Sequence, residues 1–228
     1  MDPVTALTIA TLMMLLNGGV LGLMHKSLSP DVQPSAADWR IGTLLLAGGS
    51  VLLAFQNALP AGFILPVGNA CALVGITLYW RAIRRFCRLP DVRWLFVPAV
   101  IATIGVYVYS GLSPSLAGRI VVASSVWVII SIAIALTLYR QATDVSVSRQ
   151  VLAAIFIAIG VFMLMRIGYF IANPHAAVSF VDGASWVNVV TPLLVAVPPV
   201  IGTTTITTTI TTTITTTITI TTTIINTI

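Results

Sequence analysis

Charged side chains are scarce in this chain. Aspartate and glutamate total six and lysine and arginine eleven among 228 residues, so only 7% carry a charge, against about 25% in a globular domain. A water-soluble fold could not clothe its surface with so few, and the composition excludes one. Histidine occurs twice and cysteine twice. Cys71 falls inside an apolar run and Cys87 inside a basic stretch; thiols in a reducing cytosol stay unpaired, so no disulfide is expected. No serine sits in a G-x-S-x-G setting, and no P-loop or G-x-G-x-x-G string occurs. The chain as given therefore shows no catalytic apparatus. A formal charge of +5 would point to nucleic acid in a soluble protein. Here it has a plainer origin in membrane topology, and no nucleic-acid partner is expected.

Apolar residues make up 57% of the chain, and mean hydropathy is +1.04. A helix needs about 20 apolar residues to cross a bilayer. Runs of that kind occupy residues 4–24, 41–58, 61–80, 94–110, 119–139, 151–172 and 186–202. Between the first two, Pro30, Asp31, Pro34 and Asp38 suggest a loop ending at Trp39-Arg40. The first run is too long for a signal-peptide core and has neither a basic leader nor a clear cleavage site, so it reads as a retained span. The last contains Pro192, Pro198 and Pro199, which predicts a kink or local unwinding. The expected fold class is all-α: a polytopic integral membrane bundle of about seven transmembrane helices, with the lipid bilayer as its first partner.

The basic stretch fixes orientation. Residues 79–94 carry Arg81, Arg84, Arg85, Arg88 and Arg93, with Trp80 and Trp94 near its edges. Lysine and arginine are retained on the cytoplasmic side, and tryptophan settles at headgroup level, so this stretch reads as a cytoplasmic loop. With Lys26, Arg40, Arg140 and Arg149 the same face collects nine cations, and the opposite face holds only Arg119. The amino terminus is then outside and the carboxyl end inside. Trp39 and Tyr139 fall at inner edges, and Tyr107, Tyr109, Tyr169 and Trp186 near outer ones. Gly18-Gly19 and Gly48-Gly49-Ser50 offer small surfaces for close helix contact.

This topology places His25 at the inner edge and His175 in an outer loop. About 30 Å of hydrocarbon separates the two faces, so the histidines cannot share a metal. A two-histidine haem and a multi-histidine zinc site are excluded, and no cofactor is expected. Arg166 is the one charge well within a span, and an intramembrane charge defaults to a functional hypothesis. It has three outlets: snorkelling outward, pairing with Asp182, or facing a ligand pocket. Asp182, Trp186 and Asn188, with His175, make the most polar part of the outer face. Arg166, Asp182, Trp186 and Asn188 are therefore the candidate ligand-binding residues. Asn17 and Asn69 read as glue between helices, and Gln56 and Asn57 as solvated edge residues.

Residues 203–228 are threonine and isoleucine except Asn226, with isoleucine at 206, 210, 214 and 218. This low-complexity tail is separate from the seven-helix domain at 1–202. Threonine, isoleucine and asparagine codons differ at one middle base, so an expanded or frame-shifted nucleotide repeat would encode it. Its first turns can extend the seventh helix. Beyond them, strand-prone residues without charged gatekeepers make an aggregation hazard.

Three segments carry a resemblance: Leu16-Asn17-Gly18-Gly19-Val20-Leu21-Gly22-Leu23-Met24-His25, Leu65-Pro66-Val67-Gly68-Asn69 and Leu78-Tyr79-Trp80-Arg81. They resemble the amino-terminal membrane region found ahead of GGDEF (diguanylate cyclase) domains in gammaproteobacterial signalling proteins, over about residues 12–205. The resemblance implies a multi-pass protein of the bacterial cytoplasmic membrane and a homodimer in which paired output domains condense GTP into cyclic di-GMP. No GGDEF string follows, so no catalytic residue carries over. The expected function is a membrane sensory or anchoring region for an unknown ligand, truncated before the catalytic domain and without cyclase activity itself. The alternative is a small multi-pass transporter or permease, although the spans lack paired acidic residues for ion coupling.

Overall fold

The computed structural model describes residues 3–56, 58, 60–112, 115–140, 147–173, 187 and 189–204. Every regular element among them is helical. In chain order these are α1 (Pro3–Met24), α2 (Gln33–Ala54), α3 (Ala61–Phe86), α4 (Val97–Tyr107), α5 (Leu116–Arg140), α6 (Val147–Ala172) and α7 (Val189–Thr204). A 3₁₀ turn, His25–Ser27, extends α1, and a π turn, Val108–Leu112, extends α4. Four segments are long and apolar enough to cross a membrane: Val4–Ser27, Gly62–Phe86, Ala117–Arg140 and Arg149–Ala172.

Local chemistry sets several boundaries. Pro34 lies in the first turn of α2, where a missing N–H costs nothing, and Gln33 Nε2 donates to Leu28 O at 3.0 Å. The helix thus begins at Gln33, not at Ile41 as the prolines and aspartates suggested. Asp38 is helical and buried, not part of a loop. Ser115 caps α5, its Oγ accepting from the Gly118 N–H at 3.1 Å.

The basic stretch also differs from its expected form. α3 continues through Phe86, so Arg81, Arg84 and Arg85 occupy its last turns, and the loop proper begins at Cys87. Cations at a helix carboxyl end are favoured by the helix dipole. The Leu89 N–H reaches Arg84 O and the Arg88 N–H reaches Arg85 O, both at 2.9 Å, with Arg88 at φ 55°. This is a Schellman ending with arginine where glycine is usual, followed by Pro90. In α7, the helix runs through Pro192, Pro198 and Pro199 without unwinding.

α2 packs closely against α3, α5 against α6, and α1 against α2; α4 joins α3 to α5. The α2–α3 contact is antiparallel and backbone to backbone. A Cβ on Gly42 would lie 2.8 Å from Gly75 O, and one on Gly49 would lie 2.7 Å from Gly68 O. The two pairs are seven residues apart on each helix, which keeps them on one face. Gly48 and Gly19 meet nothing within 4 Å, whereas Gly18 touches Leu44. The core runs through Trp39, Leu73, Ile76, Tyr79, Ile130, Ile134 and Phe156. Large apolar side chains such as Leu16, Leu23, Ile101, Ile104, Ile129 and Ile171 point outward, the inverse of a soluble surface and the pattern a hydrocarbon solvent favours.

Candidate functional site

The bundle has two chemically different ends. The starts of α1, α3, α5 and α7 and the finishes of α2 and α6 meet at one end, and the opposite termini meet at the other. The second end holds the basic residues. There Asp38 is buried at 3% exposure. Arg81 grips it with two hydrogen bonds, Nε–Oδ2 at 2.9 Å and Nη2–Oδ1 at 2.5 Å, and Arg85 Nη1 approaches Oδ2 at 3.0 Å. Arg85 also reaches Asp91 at 2.7 Å, which draws that carboxyl below its ordinary value. Arg84 Nη2 donates to Pro90 O at 2.7 Å and its guanidinium lies over Trp80. Arg88 meets Asp31 at 3.3 Å on the surface, and Arg93 is exposed. Of the five arginines that mark topology in the sequence, Arg81 and Arg85 are thus built into a clamp joining α2 to α3.

An aromatic layer lies beneath the clamp. Trp39 stacks on Tyr79 with ring centroids 4.2 Å apart. Thr43 Oγ1 donates to Trp39 O and shares a 2.9 Å hydrogen bond with Tyr79 OH, so the tyrosine is the donor in that pair. Ser35 Oγ donates to Ala82 O at 2.7 Å. Gly202 of α7 rests on the Trp39 indole so closely that a Cβ there would enter the ring. Cys87 is a free, half-buried thiol beside this cluster. Burial pushes its pKa up, and nearby Arg149 partly offsets that.

The other end contains a cavity of about 100 Å³. Its walls come from α1, α2, α3, α5, α6 and α7 and are mainly apolar, with Leu7, Leu46, Leu65, Trp127, Met163 and Val195 prominent. Into it face two guanidinium-bearing residues, Arg119 and Arg166, together with Ser50, Gln56, Asn69, Ser124 and Thr191. No carboxylate lines it among the described residues. Arg166 is 9% exposed. Arg119 Nε and Ser124 Oγ are buried and have no hydrogen-bond partner among the described residues. Arg166 also borders a second cavity with Phe162, Met165, Tyr169 and Val187, and Met165 is 59% exposed on the apolar exterior.

Of the expected ligand-binding residues, the structure places Arg166 in this cavity. Asp182, Trp186 and Asn188, like His175, lie outside the described residues. Asn69 lines the cavity, and its Nδ2 donates to Leu65 O at 2.8 Å. Asn17 bonds Met13 O of its own helix at 2.8 Å and is not glue between helices. Gln56 belongs to the cavity wall, not to an open edge. Arg119 is the residue that sequence reasoning undervalued. Its signal was present all the same, because it is the lone cation on the face where cations are rare. Among the described residues, no three histidine, cysteine, aspartate or glutamate side chains converge as a metal site.

No family model, curated protein or solved structure matches the chain.

Proposed function

We propose that this protein is a membrane sensory region. It takes up a ligand in the cavity between Arg119 and Arg166 and passes the event along α7 to the basic end. The orientation in this reading has seven spans, the amino terminus outside and the arginine clamp at the cytoplasmic face of a bacterial inner membrane, as the nine-to-one cation imbalance favours. The cavity then opens from the outer half of the bundle, where an external signal arrives. The chain would work as the input half of a diguanylate-cyclase-like signalling protein, with no reaction of its own.

The observation that carries this reading is that one helix touches both ends. Thr191, Pro192 and Val195 of α7 line the cavity, and Gly202 sits on Trp39 at the clamp. Seven residues from Val195 to Gly202 span about 10 Å of helix. A shift of α7 by cavity filling would have to displace Trp39 or be resisted by it, because the Gly202 contact leaves no slack. That supplies a physical element with two ends to bias, the requirement for coupling.

The test joins a diguanylate cyclase domain in frame after Thr204 and follows cyclic di-GMP in cells. Gly202→Leu, which pries α7 from Trp39, and Ala123→Leu, which fills the cavity, should each change output by about fivefold, within the usual range of coupling energies. Membrane insertion should be unchanged. Output indifferent to both substitutions, or a fusion active only on the outer side, would overturn the sensory reading.

A further inference from the structure

The basic end carries two cations that the clamp does not use. Arg81, Arg85 and Arg88 are held there by aspartates, and Arg84 is engaged by Pro90 O and the Trp80 ring. None of the ion pairs among the described residues includes Arg40 or Lys26, and both side chains are exposed. Lys26 lies in the 3₁₀ turn that finishes α1, and Arg40 lies in the first half of α2. The exterior around them is apolar, with Leu23 87% and Ile41 49% exposed. A cation at the rim of such a surface stands at the level of lipid headgroups.

The placement of Arg40 is specific. A Cβ on Gly22 would lie 2.7 Å from Arg40 Cζ and 2.9 Å from both Nε and Nη2. Three such similar distances put Gly22 over the face of the guanidinium, so the planar group lies against the α1 backbone. Its N–H donors lie in that plane, and an acceptor meets them at the edge, beside the seam between the two helices. Lys26 follows Gly22 by four residues, on the same side of α1. The seam continues away from these cations as apolar surface. One turn further in on each helix Gly18 meets Leu44, so α1 and α2 run antiparallel along it. Gly19 is exposed, and a Cβ there would meet nothing within 4 Å. The surface is therefore dented beside the exposed Leu44, about 5 Å along α1 from Gly22.

We propose that the α1–α2 seam binds an anionic phospholipid, with its phosphate at Arg40 and Lys26 and an acyl chain over Gly19 beside Leu44. A guanidinium edge and an ammonium together suit a phosphate oxygen, and charge-assisted bonds of this kind are the strong ones. Charge also selects among lipids. Two cations favour a headgroup of net negative charge over a zwitterionic one, whose own cation they repel. Each basic residue near a bilayer surface is worth about fivefold in such binding. The apolar dent selects a lipid over a free phosphate, which would leave that surface unused. This inference is separate from the sensory reading. In the orientation proposed above the lipid comes from the cytoplasmic leaflet, but the binding itself is the same in either orientation.

The test strips the full chain of lipid in a neutral detergent, titrates it with phosphatidylglycerol or phosphatidylcholine, and counts bound lipids by native mass spectrometry. Phosphatidylglycerol should bind about twentyfold more tightly, the product of two cations. Arg40→Gln and Lys26→Gln should each cut that preference about fivefold, whereas Arg40→Lys, which keeps the charge, should retain most of it. Gly22→Ala, which pushes the guanidinium off α1, should lower the preference with the net charge unchanged. Gly19→Leu fills the dent without meeting another group; it should weaken both lipids and leave thermal unfolding where it was. Arg140→Gln removes an exposed cation of the same end and should change nothing. Equal binding of the two lipids, or a preference unchanged in Arg40→Gln, would overturn the proposal. An equal loss in Arg140→Gln would overturn it too, by making the preference a property of the whole basic face. So would displacement of phosphatidylglycerol by equimolar glycerol 3-phosphate, since the acyl chain would then contribute nothing.

Discussion

Asp38, itself nearly free of water, holds two partly hydrated arginines, and its neighbours show what the arrangement is worth. The carboxylate is 4% exposed, whereas Arg81 and Arg85 are 28% and 32% exposed, so water screens the cationic half of the cluster. Breaking a buried pair usually costs about 3–5 kcal/mol; with the guanidinium groups partly hydrated, Asp38→Asn should cost about 2–3 kcal/mol, read from unfolding in mild detergent. Arg88 is a contrasting case. Its left-handed backbone costs about 1–2 kcal/mol in a non-glycine residue, and its ion pair with Asp31 is fully surface-exposed and contributes little. Arg88→Gly should therefore stabilise the protein by about 0.5–1 kcal/mol. Asp91 carries a small pH dependence. Its folded pKa is depressed below 3.8, first through its hydrogen bond to Arg85. Its contribution is complete above 3.8 and fades only as pH falls through the lower folded value.

At the scale of elements, α2 and α3 depend on glycine for their approach. Gly49 faces the Gly68 carbonyl at a distance no Cβ tolerates, and Gly48, its chain neighbour, faces open space. Gly49→Leu should lose about 3 kcal/mol or more, because the obstacle is backbone and cannot repack. Gly48→Leu should stay within about 0.5 kcal/mol. The pair is its own control in thermal unfolding. The sequence revealed that a glycine cluster lay here but not which glycine faced α3, because side chains on both faces of a span are apolar and hydrophobic pattern stops reporting direction. The start of α2 was misjudged for a related reason. Pro30, Asp31, Pro34 and Asp38 resemble loop composition, but a proline in the first turn of a helix is harmless, and Asp38 becomes acceptable in a helix once Arg81 and Arg85 reach it from α3. Those partners are more than 40 residues away along the chain, at |i−j| 43 for Arg81, and no local signal announces them. For the seventh helix three prolines predicted a kink or local unwinding, and α7 remains helical through all of them, which removes the unwinding alternative.

For the whole molecule, apolar run length and the scarcity of charge made the helical, membrane-compatible architecture legible, since both reflect the solvent and not a particular packing. Arg166 stood out because a lone charge in a span is expensive. The cavity itself did not. Leu7, Asn69, Arg119 and Val195 lie far apart in sequence and converge only when alternate helices turn back on one another. Orientation is the property that joins these levels, and two thiols test it. Cys87 lies at the clamp, so a membrane-impermeant maleimide added outside intact cells should leave it unlabelled, whereas a cysteine placed at Ser115, the α5 cap at the cavity end, should react in a Cys71→Ser/Cys87→Ser background. In opened membranes Cys87 should react slowly at neutral pH, because burial raises its pKa and the thiolate is the nucleophile; the rate should climb as pH rises. Arg149→Gln should slow it further at a given pH, since the arginine is the group that lowers the pKa. Labelling of Cys87 from outside would place the nine cations beyond the membrane, turn the Arg119–Arg166 cavity toward the cytoplasm, and make the source of its ligand internal.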